Sequence, residues 1–194
     1  MPEQHLVRRS LYIGIAVGCA VMGVTCIFIR GYIEQPLKVG YFLSNEANIA
    51  IWVFSNLALL WLACRRRLCR LAAYLFTVEL AVGLAAQIIK RIPWEFYARP
   101  NGGGEGFPSG HAASGFSFAF MLTLFFPRLW WVWYGWAAAI AWSRVEINAH
   151  THFQVAAGIV LGLSLAWLLA EKVFISRREI VPPASPSPSP PGAD

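Results

Sequence analysis

Charged side chains are scarce in this 194-residue chain: they make up 13% of the sequence, against 57% for hydrophobic side chains. A soluble domain carries about 25% charged residues, so the composition excludes an ordinary soluble globular protein. Together with a mean hydropathy of +0.52, it predicts an integral membrane protein. The length suits one compact helical bundle and is too short for a bundle plus a folded soluble domain.

Cysteine, aspartate and basic tracts are also rare or missing. The four cysteines, Cys19, Cys26, Cys64 and Cys69, lie in or beside apolar segments, so we expect no disulfide, and their spacing does not fit a structural zinc site. Asp194, the last residue, is the only aspartate. The net charge of +6 is not gathered into a basic patch, which argues against nucleic acid as a partner and for the cytoplasmic loops of a membrane protein.

Six apolar segments approach the length of about 20 residues that a helix needs to cross a bilayer. We therefore predict an all-α fold, an integral membrane bundle of six transmembrane helices. The segments are Leu11–Ile29, Ala47–Cys64, Leu71–Ile89, His111–Phe126, Leu129–Trp142 and Phe153–Ala170.

The distribution of lysine and arginine predicts how this bundle is oriented. If the N-terminus is cytoplasmic, ten of the sixteen basic residues fall in cytoplasmic loops, as the positive-inside rule requires, and both termini are cytoplasmic. The first apolar run is longer than the core of a signal peptide, so we expect it to be retained as a helix. Residues 1–180 then form the membrane domain, and the Pro/Ser-rich residues 181–194 form a disordered cytoplasmic tail.

Three groups of polar residues stand at the edges of the apolar segments, all on the predicted outer side. Four of the six basic residues on that side belong to these groups. The positive-inside rule gives no reason for basic residues there, whereas anion binding does. The first group is Lys90, Arg91 and Arg99-Pro100, the second is Pro108-Ser109-Gly110-His111, and the third is Ser143-Arg144 with His150 and Gln154.

Each group carries residue types that suit a phosphate ester. Ser109 is a typical N-cap, so the free N–H groups of the next helical turn would form an anion site at the positive end of the helix dipole. Arginine offers a planar fork for two phosphate oxygens, and a histidine at position 111 can protonate a leaving group. Taken singly, each feature has an ordinary interpretation, such as a capped helix start or basic residues that complement a helix C-terminus.

Together the three groups resemble the signature of the phosphatidic acid phosphatase type 2 superfamily, which is similar to the vanadium haloperoxidases. That signature runs Lys-x6-Arg-Pro, then Pro-Ser-Gly-His, then Ser-Arg-x5-His-x3-Asp. The second group matches it fully, and so does the spacing from Ser143-Arg144 to His150. The resemblance covers about residues 89–154 by motif and all six helices by architecture.

The resemblance implies a role for each site residue. His150 would attack phosphorus and form a phosphohistidine, Gln154 would orient it, and His111 would protonate the leaving group. No metal and no other cofactor would be required, and the partners would be a membrane lipid phosphate and the bilayer. The phosphate oxygens would be held by Lys90 or Arg91, Arg99, Ser109, Gly110 and Arg144.

The chain departs from the signature at two places. Eight residues separate Lys90 from Arg99 and seven separate Arg91 from Arg99, where the family has six, so both Lys90 and Arg91 are candidates. Gln154 replaces the family's aspartate, and an amide stabilises an imidazolium less than a carboxylate would. We therefore expect slower turnover and a rate kept or raised by Gln154→Asp. Glu146 is an alternative carboxylate, and an inactive relative is the other outcome.

The sequence thus predicts a metal-independent phosphatase that hydrolyses a lipid phosphate on the outer, periplasmic face of a bacterial cytoplasmic membrane. The stretch from Arg99 to His111 resembles bacterial lipid A phosphatases that act at the 1-position; phosphatidylglycerophosphate and polyprenyl diphosphate are the other candidate substrates. Three alternatives stay open: a lipid phosphotransferase with the same site, a non-catalytic lipid or anion transporter, and a metal hydrolase that uses His111, His150 and His152.

Overall fold

The fold is known from a computed structural model, which describes residues 4–44, 48–65, 69–92 and 97–172. Regular structure in these ranges is helical, apart from an isolated antiparallel bridge between Ala98 and Glu105. A short 3-10 helix, Pro127–Leu129, precedes α6. The α-helices are α1 (Gln4–Phe28), α2 (Lys38–Phe42), α3 (Asn48–Arg65), α4 (Cys69–Lys90), α5 (Gly110–Phe125), α6 (Trp130–Glu146) and α7 (His152–Ala170).

The predicted all-α class is confirmed, and each of the six apolar segments coincides with one helix. Helix α2, between the first two segments, was not predicted. By length and composition, Gln4–Phe28, Ala72–Lys90 and His152–Ala170 can cross a membrane, and Gly110–Phe125 is a shorter apolar helix. Six spans and cytoplasmic termini stay predictions, and the predicted tail at 181–194 lies outside the described residues.

Helix α5 lies at the centre of the bundle, in contact with α1, α4, α6 and α7. Nearly all of its side chains from Ala112 to Leu124 are buried. A helix that is apolar on every side is stable only when it is enclosed, and the composition of α5 meets that condition. Its N-terminus begins at the buried Ser109 and the partly exposed Gly110.

Two glycines of α7 allow that helix to approach the backbone of α5 closely. A Cβ atom at Gly158 would overlap the carbonyl oxygen of Ser109, and one at Gly162 would overlap that of Ala113. Because they are four residues apart, the two glycines share one face of α7. Because these two positions carry no side chain, α7 can lie directly against the first turn of α5, and this contact determines where that turn lies.

The variant Gly158→Ala is expected to lower the free energy of unfolding by about 1–3 kcal/mol, because its methyl group must push the Ser109 carbonyl away. Gly135→Ala, in α6, is the matched control, since a Cβ there meets nothing within 4 Å and alanine favours helix. Thermal unfolding in one detergent checks both variants. Equal melting temperatures for the two would contradict this account of the α5–α7 contact.

The first loop, residues 29–44 with α2 in it, lies against the connection between α6 and α7. Asn148 Oδ1 accepts from Ile33 N–H at 2.9 Å, and Asn148 Nδ2 donates to the Ile33 carbonyl at 2.7 Å. Glu146 Oε1 accepts from Leu37 N–H at 3.2 Å. Asn148 has a φ of 55°, a left-handed conformation that asparagine tolerates well. These contacts bring the first loop to the end of the bundle where α5 begins.

Candidate active site

The three groups predicted from the sequence meet at this end of the bundle. Lys90 ends α4, Arg99 lies in the loop before α5, and Arg144 lies in the last turn of α6. The charges of all three lower the pKa of His150, which lies between α6 and α7. Three cations from separate parts of the chain therefore lie near enough to His150 to act on its charge.

The N-terminus of α5 is capped by Ser109, as the sequence predicts. Ser109 is the N-cap, and its Oγ accepts from Ala112 N–H at a long 3.5 Å. The Ser109 N–H donates to the Gln154 carbonyl at 2.9 Å, which fixes this turn against α7. The ammonium of Lys90 lies 3.7 Å from where a Cβ of Gly110 would stand. A positive side chain thus stands beside the positive end of the helix dipole.

The loop 97–107 is folded back on itself and carries Arg99. Arg99 N–H donates to the Gly104 carbonyl at 2.9 Å, and Gly106 N–H donates to the Tyr97 carbonyl at 2.6 Å. Gly104 has a φ of +80°, which only glycine adopts readily. Arg99 Nε donates to the Glu105 carbonyl at 3.3 Å, so one edge of its guanidinium is anchored within the loop.

Arg144 is a buried cation with an unused donor. Its side chain is 5% exposed, and one of its terminal nitrogens, Nη1, donates to Ser44 Oγ. Nε is buried and has no hydrogen-bond partner among the described residues. Burial, and then the charge of Arg99, lower the pKa of Arg144 to about 10, which keeps it charged at neutral pH. A buried N–H of this kind calls for an acceptor, and an anion would supply one.

His150 is 2% exposed, and its Nδ1 lies 3.2 Å from Gln154 Oε1. Because an amide oxygen only accepts, Nδ1 carries the proton and Nε2 keeps its lone pair. Burial, followed by the charges of Arg144 and Arg99, lowers the pKa of His150 to about 3. The imidazole is therefore neutral over the physiological range, the state that a nucleophile requires.

Gln154 is fully buried and uses both ends of its amide. Besides His150, Oε1 accepts from Thr151 N–H at 3.2 Å. Nε2 donates to the carbonyls of Tyr97 and Ala98 at 3.2 and 3.0 Å. One side chain thus connects His150 to the loop that carries Arg99, and the donor half of the amide does something no aspartate could do.

Other sequence candidates lie away from the site. Arg91 is exposed and is not among the charges that act on His150. Glu146, the suggested alternative carboxylate, is engaged by Leu37 N–H in the first loop. Within the ranges that the structure describes, no three His, Cys, Asp or Glu side chains are grouped to hold a metal ion.

Sequence reasoning missed Ser44 and the carbonyls of Tyr97 and Ala98. Ser44 is 100 positions from Arg144 in the chain, and no motif surrounds it. The two carbonyls belong to the backbone, so residue type gives no sign of them. Only the length of the Gln154 side chain and its two amide hydrogens hint that a partner is needed on that side.

Comparison with known proteins agrees with this geometry. The model of the PAP2 superfamily matches residues 86–178, a range that contains every predicted site residue from Lys90 to Gln154 and leaves out the first loop. No curated protein and no solved structure gives a significant match to the chain. The chain is therefore similar to the PAP2 superfamily over residues 86–178.

Proposed function

We propose that this protein is a membrane phosphatase that hydrolyses a lipid phosphate, without a metal, through a phosphohistidine formed at His150. One observation carries the proposal: Lys90, Arg99 and Arg144 all act on the two site histidines, His111 in the first turn of α5 and His150, which Gln154 orients. The match of residues 86–178 to the PAP2 superfamily supports phosphate ester hydrolysis as the reaction class, and the long apolar helices support a substrate in a membrane.

The phosphate group binds first, through charge. A phosphate monoester carries close to two negative charges at pH 7, and three cations together with the first-turn N–H groups of α5 exceed that charge. The unused Nε–H of Arg144 donates to one oxygen, and the Lys90 ammonium reaches another beside Gly110. Because the cations are in place before the ligand arrives, they also stabilise the charge that develops in the transition state.

The chemistry uses two histidines. Nε2 of His150 forms a bond to phosphorus while the bond from phosphorus to the lipid oxygen breaks, and His111 in the first turn of α5 donates a proton to that oxygen. Burial and the charges of Arg144, Lys90 and Arg99 lower the pKa of His111 to about 4 in the protein alone. The proton therefore arrives with the phosphate, whose negative charge raises the pKa of His111 once it is bound. Water then attacks the phosphohistidine, His111 takes a proton from it, and inorganic phosphate and free His150 are released. Gln154 holds the Nδ1 proton in place throughout both steps.

The substrate is a lipid whose phosphorylated head group reaches this end of the bundle. We propose the outer face of a bacterial cytoplasmic membrane as the site of reaction, since the positive-inside rule places the three groups there. Lipid A-type lipids, phosphatidylglycerophosphate and polyprenyl diphosphate all carry a terminal phosphate in the head group, where a site at the membrane face can reach it.

Incubation of the purified protein with vesicles that contain one of these three lipids tests the proposal. Release of inorganic phosphate in excess chelator, with a loss of about 80 Da, the mass of one phosphate unit, from the lipid, is the expected result. Appearance of the phosphate on a second lipid would indicate a phosphotransferase. Lipid movement between leaflets with no loss of phosphate from any of the three lipids would contradict hydrolysis and favour a transporter.

Neighbouring cations at the end of α4 offer a matched pair of variants. Lys90→Ala is expected to lower kcat/KM by about 10- to 100-fold, because a charge-assisted hydrogen bond to phosphate contributes about 1.5–3 kcal/mol. Arg91→Ala, which removes an exposed charge, is expected to change it less than about threefold. Phosphate release at several substrate concentrations measures both variants. A larger loss in Arg91→Ala would reverse the assignment.

A further inference from the structure

The buried guanidinium of Arg144 has one donor with a partner and one donor without. One terminal nitrogen, Nη1, donates to Ser44 Oγ, and Nε has no hydrogen-bond partner in the described part of the chain. Ser44 and Arg144 are 0% and 5% exposed, so water does not readily replace the bond between them. Since the guanidinium is planar and rigid, a bond at Nη1 also determines the direction in which Nε–H points.

The loop that carries Ser44 is held to α6 and its C-terminal extension by alternate residues. Arg144 binds Ser44, Glu146 binds Leu37 N–H, and Asn148 binds both backbone groups of Ile33. Gly40 lies within van der Waals reach of Glu146, where a Cβ would be 3.1 Å from its Cγ. The first loop therefore has little freedom to slide relative to Arg144.

We infer that Ser44, which lies outside the region matched by the family, is a positioning residue that aims Arg144 at the phosphate. The inference rests on the proposed function. Ser44 does not contact the ligand itself; it occupies Nη1, prevents the guanidinium from rotating about its long side chain, and leaves Nε–H directed into the site. The first loop thereby completes a site whose other residues all lie between positions 90 and 154.

The sharpest test compares Ser44→Thr with Ser44→Val, two side chains of the same shape that differ in the hydroxyl group. We expect Ser44→Thr to keep kcat/KM within about threefold of the corresponding wild-type value, and Ser44→Val to lower it about tenfold or more, as expected when a hydrogen bond to a charged group is lost. Any strain from the added methyl group is common to both variants. Ser117→Ala is a control, because Ser117 is also buried but donates to Ser114 within α5.

A double-mutant cycle then asks whether Ser44 acts through Arg144. In the Arg144→Ala background, Ser44→Thr and Ser44→Val are expected to have the same kcat/KM and the same inhibition by orthovanadate. An equal loss in both backgrounds would overturn the inference and leave a merely structural role. Equal activity of Ser44→Thr and Ser44→Val in the wild-type background would overturn it as well.

Binding of inorganic phosphate separates failure of this inference from failure of the proposed function. If the wild-type protein binds phosphate in calorimetry but releases none from any lipid, the catalytic proposal fails. Ser44→Val is still expected to bind phosphate about tenfold more weakly than Ser44→Thr. If the wild type is an active phosphatase and the two variants bind phosphate equally, the role of Ser44 is wrong and the catalytic proposal stands.

Discussion

Replacing His150 with alanine is expected to reduce turnover by at least about 10⁴-fold, the order of loss seen when a covalent nucleophile is removed. The reason lies in the geometry of the ring. Its Nδ1 is held by Gln154 Oε1 at 3.2 Å, so Nε2 is the atom left to attack phosphorus. Without it, the cations can still bind phosphate, but no covalent intermediate forms and water has to attack the ester directly.

The test of this prediction is detection of an acid-labile phosphoenzyme. Wild-type protein quenched during turnover of a ³²P-labelled lipid should retain label, and His150→Ala should retain none. His152→Ala is the matched control, because His152 begins α7 two positions further on and has no place in the proposed chemistry. Label that persists in His150→Ala would place the nucleophile elsewhere, and an unchanged rate would remove the phosphohistidine mechanism altogether.

Gln154→Asp is the second variant with a large expected effect, and here the structure reverses the expectation drawn from the sequence. Aspartate matches the family signature, which is why the sequence alone predicts a kept or raised rate. In the structure, however, the amide donates to the carbonyls of Tyr97 and Ala98. Aspartate is one methylene shorter and has no N–H, so both carbonyls lose a partner at a cost of about 1–3 kcal/mol each.

We therefore expect Gln154→Asp to lower kcat/KM by about 100-fold and to lower the melting temperature. Gln154→Glu distinguishes the role of the amide oxygen from that of the amide nitrogen. It keeps an acceptor for His150 and Thr151 but removes both donors. It should raise KM about tenfold, because the Arg99 loop loosens, while kcat changes less. Both constants come from phosphate release at varied lipid concentration. Wild-type activity in Gln154→Asp would show that the donor contacts are dispensable.

The helices could be predicted from the sequence because their signal is local. An apolar run of sufficient length predicts a membrane helix whatever lies elsewhere in the chain, and Ser109 caps α5 as its residue type predicts. The short α2 escaped prediction, since five residues give no periodic pattern. Whether Lys90 or Arg91 faces the site also depends on how α4 is rotated relative to α5, and the spacing of the motif gives no information about that rotation.

The remaining parts of the site depend on contacts that are distant in sequence. Ser44 meets Arg144 across 100 positions, and Gln154 reaches Tyr97 across 57. A motif gives residue types in order, but not which donor faces which acceptor once the chain has folded. From the sequence alone, Gln154 in place of aspartate therefore suggests a weaker partner for His150. In the structure, the same side chain also holds the loop at Tyr97 and Ala98.

The length of α5 has a consequence for how deep the reaction takes place. Its 16 residues span about 24 Å at 1.5 Å per residue, whereas the hydrocarbon core of a bilayer is about 30 Å thick. If α5 spans the bilayer with its far end at the opposite interface, as the six-span prediction requires, it begins several ångströms below the near surface. A lipid phosphate then has to sink slightly toward the acyl chains rather than rise out of them. Thin membranes would ease that descent, and thick ones would hinder it.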